Sequence, residues 1–134
     1  MALAPLASLP FVYVFGRSHH AVSFYGANVF PEMIGVGLAD PSVRANLTGK
    51  FVMRVEEDAN RDAGFLVVVE LARGIESRES LADRVGASIV QGLLRLNSEY
   101  GAYVPPSRRE PSIELRPAGD PDCFPPGIKH RWTR

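Results

Sequence analysis

One stretch constrains this chain more than any other. Leu81, Val85, Ile89, Leu93 and Leu96 recur at three- and four-residue intervals, which places five apolar side chains along one stripe of an α-helix. A helix of this kind needs an apolar surface to lie on. Burying each large side chain contributes about 1.5–3 kcal/mol before chain entropy is subtracted. Ser80-Leu81-Ala82-Asp83 has the spacing of a capping box, so the serine is expected to open the helix by accepting from a free backbone N–H.

Strands supply the surface. Phe51, Met53 and Val55 alternate with Val52, Arg54 and Glu56, the period of a strand with one buried face. The polar run 57–62 reads as a turn. Phe65 to Leu71 is apolar on both sides for most of its length, which predicts a central strand paired with the one before it. Ser112 to Arg116 alternates again and predicts a last strand. Seven of the eleven prolines fall between Pro105 and Pro126, so that region is loop around the strand and not a long helix.

Near the start, Phe11 to Phe15 and Ala21 to Tyr25 are rich in β-branched and aromatic residues. The stretch 16–20 between them reads as the turn of a hairpin joining the two. Pro31 suits the first position of a short helix, where its missing N–H would be unpaired anyway. That helix should stop near Ala39, before Asp40-Pro41. The order is hairpin, helix, strand, strand, helix, strand. It predicts an α+β, ferredoxin-like small domain: a mainly antiparallel sheet with two helices on one face, preceded by a β-hairpin.

The 134 residues are one ordinary domain's worth, and 46% apolar with 22% charged is the balance of a globular protein. Fifteen basic and fifteen acidic residues cancel, so the chain has no global field to attract nucleic acid and no nucleic-acid partner is expected. Its longest apolar runs are too short to span a bilayer, and residues 1–15 lack the basic start of a secretory signal. The one cysteine, Cys123, has no internal disulfide partner and no metal-ligand spacing around it. A cytoplasmic protein with no membrane contact and no metal site is the expectation. The adjacent His19 and His20 have no third ligand near them in sequence, and neighbours in a turn rarely point at one ion.

Two blocks at fixed separation carry a resemblance. Gly16-Arg17-Ser18 and Gly26-Ala27-Asn28-Val29-Phe30-Pro31 resemble the hinge motif of the phenylacetate–CoA ligase branch of the acyl-adenylate-forming, AMP-binding superfamily. There a Gly-Arg-Ser-Asp-like turn leads through a strand to Gly-x-Asn-Val-Phe-Pro. The resemblance is strongest near the start and weaker in the middle. It implies that residues 1–134 form the single C-terminal lid domain of such a ligase. Residues 1–10 would be the hinge approach, 11–32 the hinge hairpin and motif, and 33–134 the α+β body.

The resemblance also implies roles. Arg17 stands where the family has an arginine that contacts the ribose or phosphate of ATP and the adenylate, and its guanidinium fork suits such oxygens. A turn arginine paired with a surface carboxylate is the alternative. His19 occupies the family's hinge position, usually an aspartate; a hinge needs a residue able to change φ and ψ, which histidine allows. Gly26 matches the glycine that lines the tunnel for the pantetheine arm of coenzyme A, where a missing side chain lets ligand pass close to backbone. Equally, it could simply end the hairpin in a conformation other residues dislike. Asn28 and Glu32 match motif positions with structural roles only, loop bonding and helix N-terminal charge. Lys129 falls where the superfamily carries its catalytic lysine, commonly after glycine, whereas here Ile128 separates it from Gly127. A solvated basic tail is the alternative for this stretch.

No Gly-rich phosphate-cradling segment is present in the sequence. The expectation is therefore a domain inactive alone, working with a large N-terminal adenylation domain, covalent or separate. The intact enzyme would use ATP, Mg²⁺ and coenzyme A on a small carboxylic acid, with none bound to the isolated domain. A lone lid exposes its docking surface, so the isolated domain could pair as a homodimer. The alternative reading is a freestanding ferredoxin-like regulatory module that binds a small metabolite.

Overall fold

The computed structural model describes residues 11–12, 21–57 and 63–124. Among the described residues, six strands and three α-helices follow in order: β1 (Phe11–Val12), β2 (Val22–Phe24), β3 (Ala27–Val29), α1 (Pro31–Leu38), β4 (Leu47–Glu57), β5 (Ala63–Leu71), α2 (Glu79–Leu96), α3 (Ser98–Tyr103) and β6 (Ser112–Arg116). They form a four-stranded sheet in the order β1-β4-β5-β6 and a separate two-stranded hairpin, β2-β3. This is the expected α+β architecture of a ferredoxin-like small domain. The pairings β1/β4 and β4/β5 are antiparallel. The pairing β5/β6 is parallel, because α2 and α3 carry the chain back to the sheet's other end between the two strands.

The apolar run Phe65 to Leu71 is central, as its two-sided character requires, lying between β4 and β6. On the helix-covered face, Phe51, Met53, Phe65, Val67, Val69 and Leu71 meet Leu81, Val85, Ile89 and Leu93 of α2 in one buried cluster. Leu96 does not join them: it is 47% exposed, so the stripe ends one turn early, where the chain turns into α3. Pro31 is the first residue of α1, and Ala39 caps its end, as the sequence predicts.

The two helices approach closely where side chains are smallest. A methyl group on Gly37 would lie 2.8 Å from Cα of Ile89, nearer than packed atoms tolerate. The adjacent Ser88 hydroxyl donates to the Gly37 carbonyl at 2.7 Å.

Three local expectations are corrected. Ser80 is not the cap of α2: the helix begins at Glu79 behind Arg78, and no side chain caps it. The extended conformation of Arg78 and the acidic Glu79 in the first turn suffice to start a helix whose stability comes from its buried stripe. Among the described residues, Phe11–Val12 pairs with β4 and not with the Ala21 to Tyr25 region. Val22–Phe24 instead closes a tight hairpin with Ala27–Val29. Finally, α3 adds a helix to the expected order. Asn97 starts it by accepting from the Tyr100 N–H at 3.0 Å, and an Asn followed two residues later by an acid is a legible start signal.

Candidate functional site

Residues 22–32 hold the second block of the motif, and their local physics is visible. Val22, Phe24, Ala27 and Val29 face the core, while Ser23 and Asn28 face outward, the period-2 alternation of a half-buried hairpin. The loop is two residues long. Tyr25 has φ 54° and Gly26 has φ 85°, and positive φ at both central positions marks a type I′ turn, whose twist matches the flanking strands. Gly26 is therefore fixed by backbone geometry at the hairpin tip, not at its end as expected.

The tip is open. Tyr25 is 38% exposed and Tyr103 of α3 54%, and a methyl group on Gly26 would touch only the Tyr103 ring, at 3.7 Å. The bare backbone of residue 26 thus lies beside the partly exposed Tyr103 ring, while the Tyr25 ring packs edge-on against Phe24. Below it, Phe24 is buried and packs its ring against Phe65 (5.6 Å between centroids) and Tyr100 (6.3 Å). The hairpin is pinned to the body by these rings.

Helix α3 supplies the polar side of that attachment. Glu99 accepts from the Asn28 N–H at 3.2 Å, and the Asn97 side-chain amide donates to the Asn28 carbonyl at 2.9 Å and to Met33 Sδ at 3.4 Å. Asn97 is buried, so its bonds are made in low dielectric, where leaving them unmade would be costly. Asn28 has the structural role expected of it, through its backbone. Glu32 lies exposed in the first turn of α1, where its charge meets the helix N-terminus favourably. The Tyr100 hydroxyl donates to the Arg109 carbonyl, and burial pushes its phenol well above the ordinary range.

Of the other sequence-derived site residues, Arg17, His19 and Lys129 lie outside the described residues; Gly26 is the one whose geometry the structure gives. Among the described residues no group of three His, Cys, Asp or Glu side chains is placed to hold a metal ion, and no helix is long and apolar enough to cross a membrane. Asn97 and Glu99 are the residues that sequence reasoning missed; their helix-start signal was readable, but their hold on the hairpin was not.

Fold and site together define a small α+β domain that presents a type I′ hairpin tip, Tyr25-Gly26, beside the exposed Tyr103 of α3. No protein-family model matches the chain, and no curated protein matches it. Among solved structures it is similar to an acyl-CoA synthetase from Brucella canis, with a TM-score of 0.48 and 17% identity over 76% of this chain and 16% of that one. The chain thus spans about a sixth of that protein's length.

Proposed function

We propose that this chain is the C-terminal mobile domain of an acyl- or aryl-CoA ligase of the phenylacetate–CoA ligase kind. It would contribute to ATP-dependent adenylation of a carboxylic acid and to transfer of the acyl group to coenzyme A. The observation that supports this reading is the Gly26-to-Pro31 block. Its glycine stands at an exposed tip with positive φ and no side chain, its Asn28-Val29 arm is locked to α3, and its proline opens α1. A motif used to bring backbone against a ligand needs this combination of open tip and rigid root.

In this reading the carboxylic acid attacks the α-phosphorus of ATP, giving an acyl-adenylate and pyrophosphate. The thiol of coenzyme A then takes the acyl group and AMP leaves. Arg17 and Lys129 place positive charge near the phosphate oxygens in the first step. His19 turns the domain between the two steps. In the second step Gly26, Tyr25 and Tyr103 border the extended pantetheine arm. The acid pocket, the Mg²⁺ ligands and most of the nucleotide site belong to a large adenylation domain, covalent or separate, that this domain closes upon.

The test is a split between steps in the protein assembled with its large domain. Lys129→Ala should cripple ATP–pyrophosphate exchange and spare thioester formation from supplied acyl-adenylate. Equal loss of both removes the lysine from its role. Gly26→Ala should do the reverse. A saturable thermal shift of the isolated chain with a small metabolite, unaffected by any adenylating domain, would replace this reading with a regulatory one.

A further inference from the structure

A hairpin of two strands has two outer edges, and one of them is closed here by side chains. The register pairs Phe24 with Ala27, Ser23 with Asn28 and Val22 with Val29. A two-residue turn makes Phe24 and Ala27 a pair that exchanges both backbone bonds, and the next pair of an antiparallel ladder does not. The N–H and C=O of Asn28 therefore point away from β2, to where a third strand would lie. Among the described residues no strand pairs there. The start of α3 takes its place. Glu99 accepts from the Asn28 N–H at 3.2 Å, and the Asn97 side-chain amide donates to the Asn28 carbonyl at 2.9 Å. One acceptor and one donor, two residues apart, answer both backbone groups of a single strand residue.

Buried Asn97 serves three elements at once. Besides β3, its amide reaches Met33 Sδ of α1 at 3.4 Å, and its oxygen starts α3 by accepting from the Tyr100 N–H. The far end of α3 is fixed as well. The Arg109 guanidinium donates to the carbonyls of Gly101 at 2.8 Å and Val104 at 3.2 Å, a basic side chain closing the helix's last turn. The Tyr100 hydroxyl in turn donates to the Arg109 carbonyl. Between these ends, six helical residues span about 9 Å, and the strand from Asn28 to Gly26 spans about 7 Å. The helix that grips the root of the hairpin thus carries Tyr103 to its tip, where the ring lies 3.7 Å from a methyl placed on Gly26.

Burial of Phe24 holds the hairpin on the body, but apolar contact is non-directional and leaves its height along α3 open. The two bonds at Asn28 have distance and angle requirements that admit one height. We propose that Asn97 and Glu99 are positioning residues for the transfer to coenzyme A: they fix the hairpin against α3, and with it the surface that Gly26 and Tyr103 present to the pantetheine arm. This rests on the role proposed for Gly26 and adds what keeps that glycine in place.

Two measurements test it, one on the chain alone and one with the large domain. In the full 134-residue chain, Glu99→Ala should speed exchange of the Asn28 amide by roughly tenfold or more while α2 is unchanged. Glu99→Gln, which keeps an acceptor oxygen, should restore most of the protection. An Asn28 amide that stays protected in Glu99→Ala overturns the closed edge. With the large domain, Glu99→Ala should raise the KM for coenzyme A on the order of tenfold in thioester formation from supplied acyl-adenylate. ATP–pyrophosphate exchange should stay within about twofold, and Glu99→Gln should recover most of the loss. Asn97→Ser, which retains an oxygen to start α3 but lacks the amide that bonds the Asn28 carbonyl, should show the same split. Equal loss of both steps marks general damage and overturns the positioning role. On a Gly26→Ala background neither substitution should add a further loss; an additive loss overturns it too. A silent Gly26→Ala with an unprotected Asn28 amide in Glu99→Ala means that the glycine reading, and the positioning role with it, is wrong while the closed edge is real. A damaging Gly26→Ala with silent Glu99→Ala and Asn97→Ser sinks the positioning role alone.

Discussion

The two faces of the sheet are held by different physics. The helix side is a continuous apolar cluster running from Val22 to Val104, with α1, α2 and the hairpin packed into it. The outer side carries a small cluster of Val52, Val68 and Phe124, with Leu66 and Cys123 at its margin. What holds it is a series of directed bonds through Glu70, Gly119 and Asp120. Burial on the first face is large and non-directional, so it makes the fold. On the second, a few anchors determine the path of one segment with little area to support it. Stability should therefore be read mostly from the inner face, and precise placement from the outer one.

The sharpest way to break this contrast is to cut a cavity in each face. Ile89→Ala on the inner face should cost about 2–5 kcal/mol in denaturant unfolding. Phe124→Ala, in a cluster of only a few side chains, should cost less than Ile89→Ala and act mainly on local exchange. Equal global losses would mean that the outer cluster is core in its own right.

A second, smaller effect probes how the inner face closes. Gly37→Ala puts its methyl 2.8 Å from the Ile89 backbone, and a backbone atom cannot swing away. Pushing the helices apart should cost about 1–3 kcal/mol, read as a lowered denaturation midpoint with an unchanged m-value.

Tyr100 sharpens the contrast by pH. Burial raises its phenol above the usual value, so the folded state favours the neutral ring. That contribution is complete below about pH 10, the ordinary tyrosine value, and is lost as pH rises through the raised folded value. Unfolding followed from about pH 8 upward should show stability falling above about pH 10. Tyr100→Phe should flatten that fall while removing about 0.5–1.5 kcal/mol at neutral pH with the lost bond to Arg109.

The smallest effect is expected at Ser80. It lies within the first turn of α2 and caps nothing, so Ser80→Ala should change stability by less than about 0.5 kcal/mol. A loss of about 1 kcal/mol, the usual worth of a cap, would restore the capping box suggested by the sequence.

Much of the local structure was legible in the sequence. The alternation in Phe51 to Glu56, the two-sided run Phe65 to Leu71 and the stripe from Leu81 to Leu93 each declared their element, because a helix or strand period is written in neighbouring residues. Pro31 declared the start of α1 for the same reason. At the candidate site, the sequence exposed Gly26 as a position needing unusual backbone freedom. The partners that hold its hairpin could not be seen: Asn97 and Glu99 lie 69 and 71 residues from Asn28, and no local pattern encodes such a bond.

By itself, then, the sequence determined the longer helices and strands, though not α3 or the short strand Ala27–Val29, which of their faces are apolar, and where prolines forbid regular structure. Only the tertiary structure decided that Phe11–Val12 pairs with β4, that Leu96 falls beyond the packed stripe, that β6 runs parallel to β5, and that Glu70 is buried under its own C-terminal turn. The division has one physical cause. Periodicity reflects dihedral geometry repeated over a few residues, whereas pairing and burial depend on which distant surface arrives, and that is settled when the whole core closes.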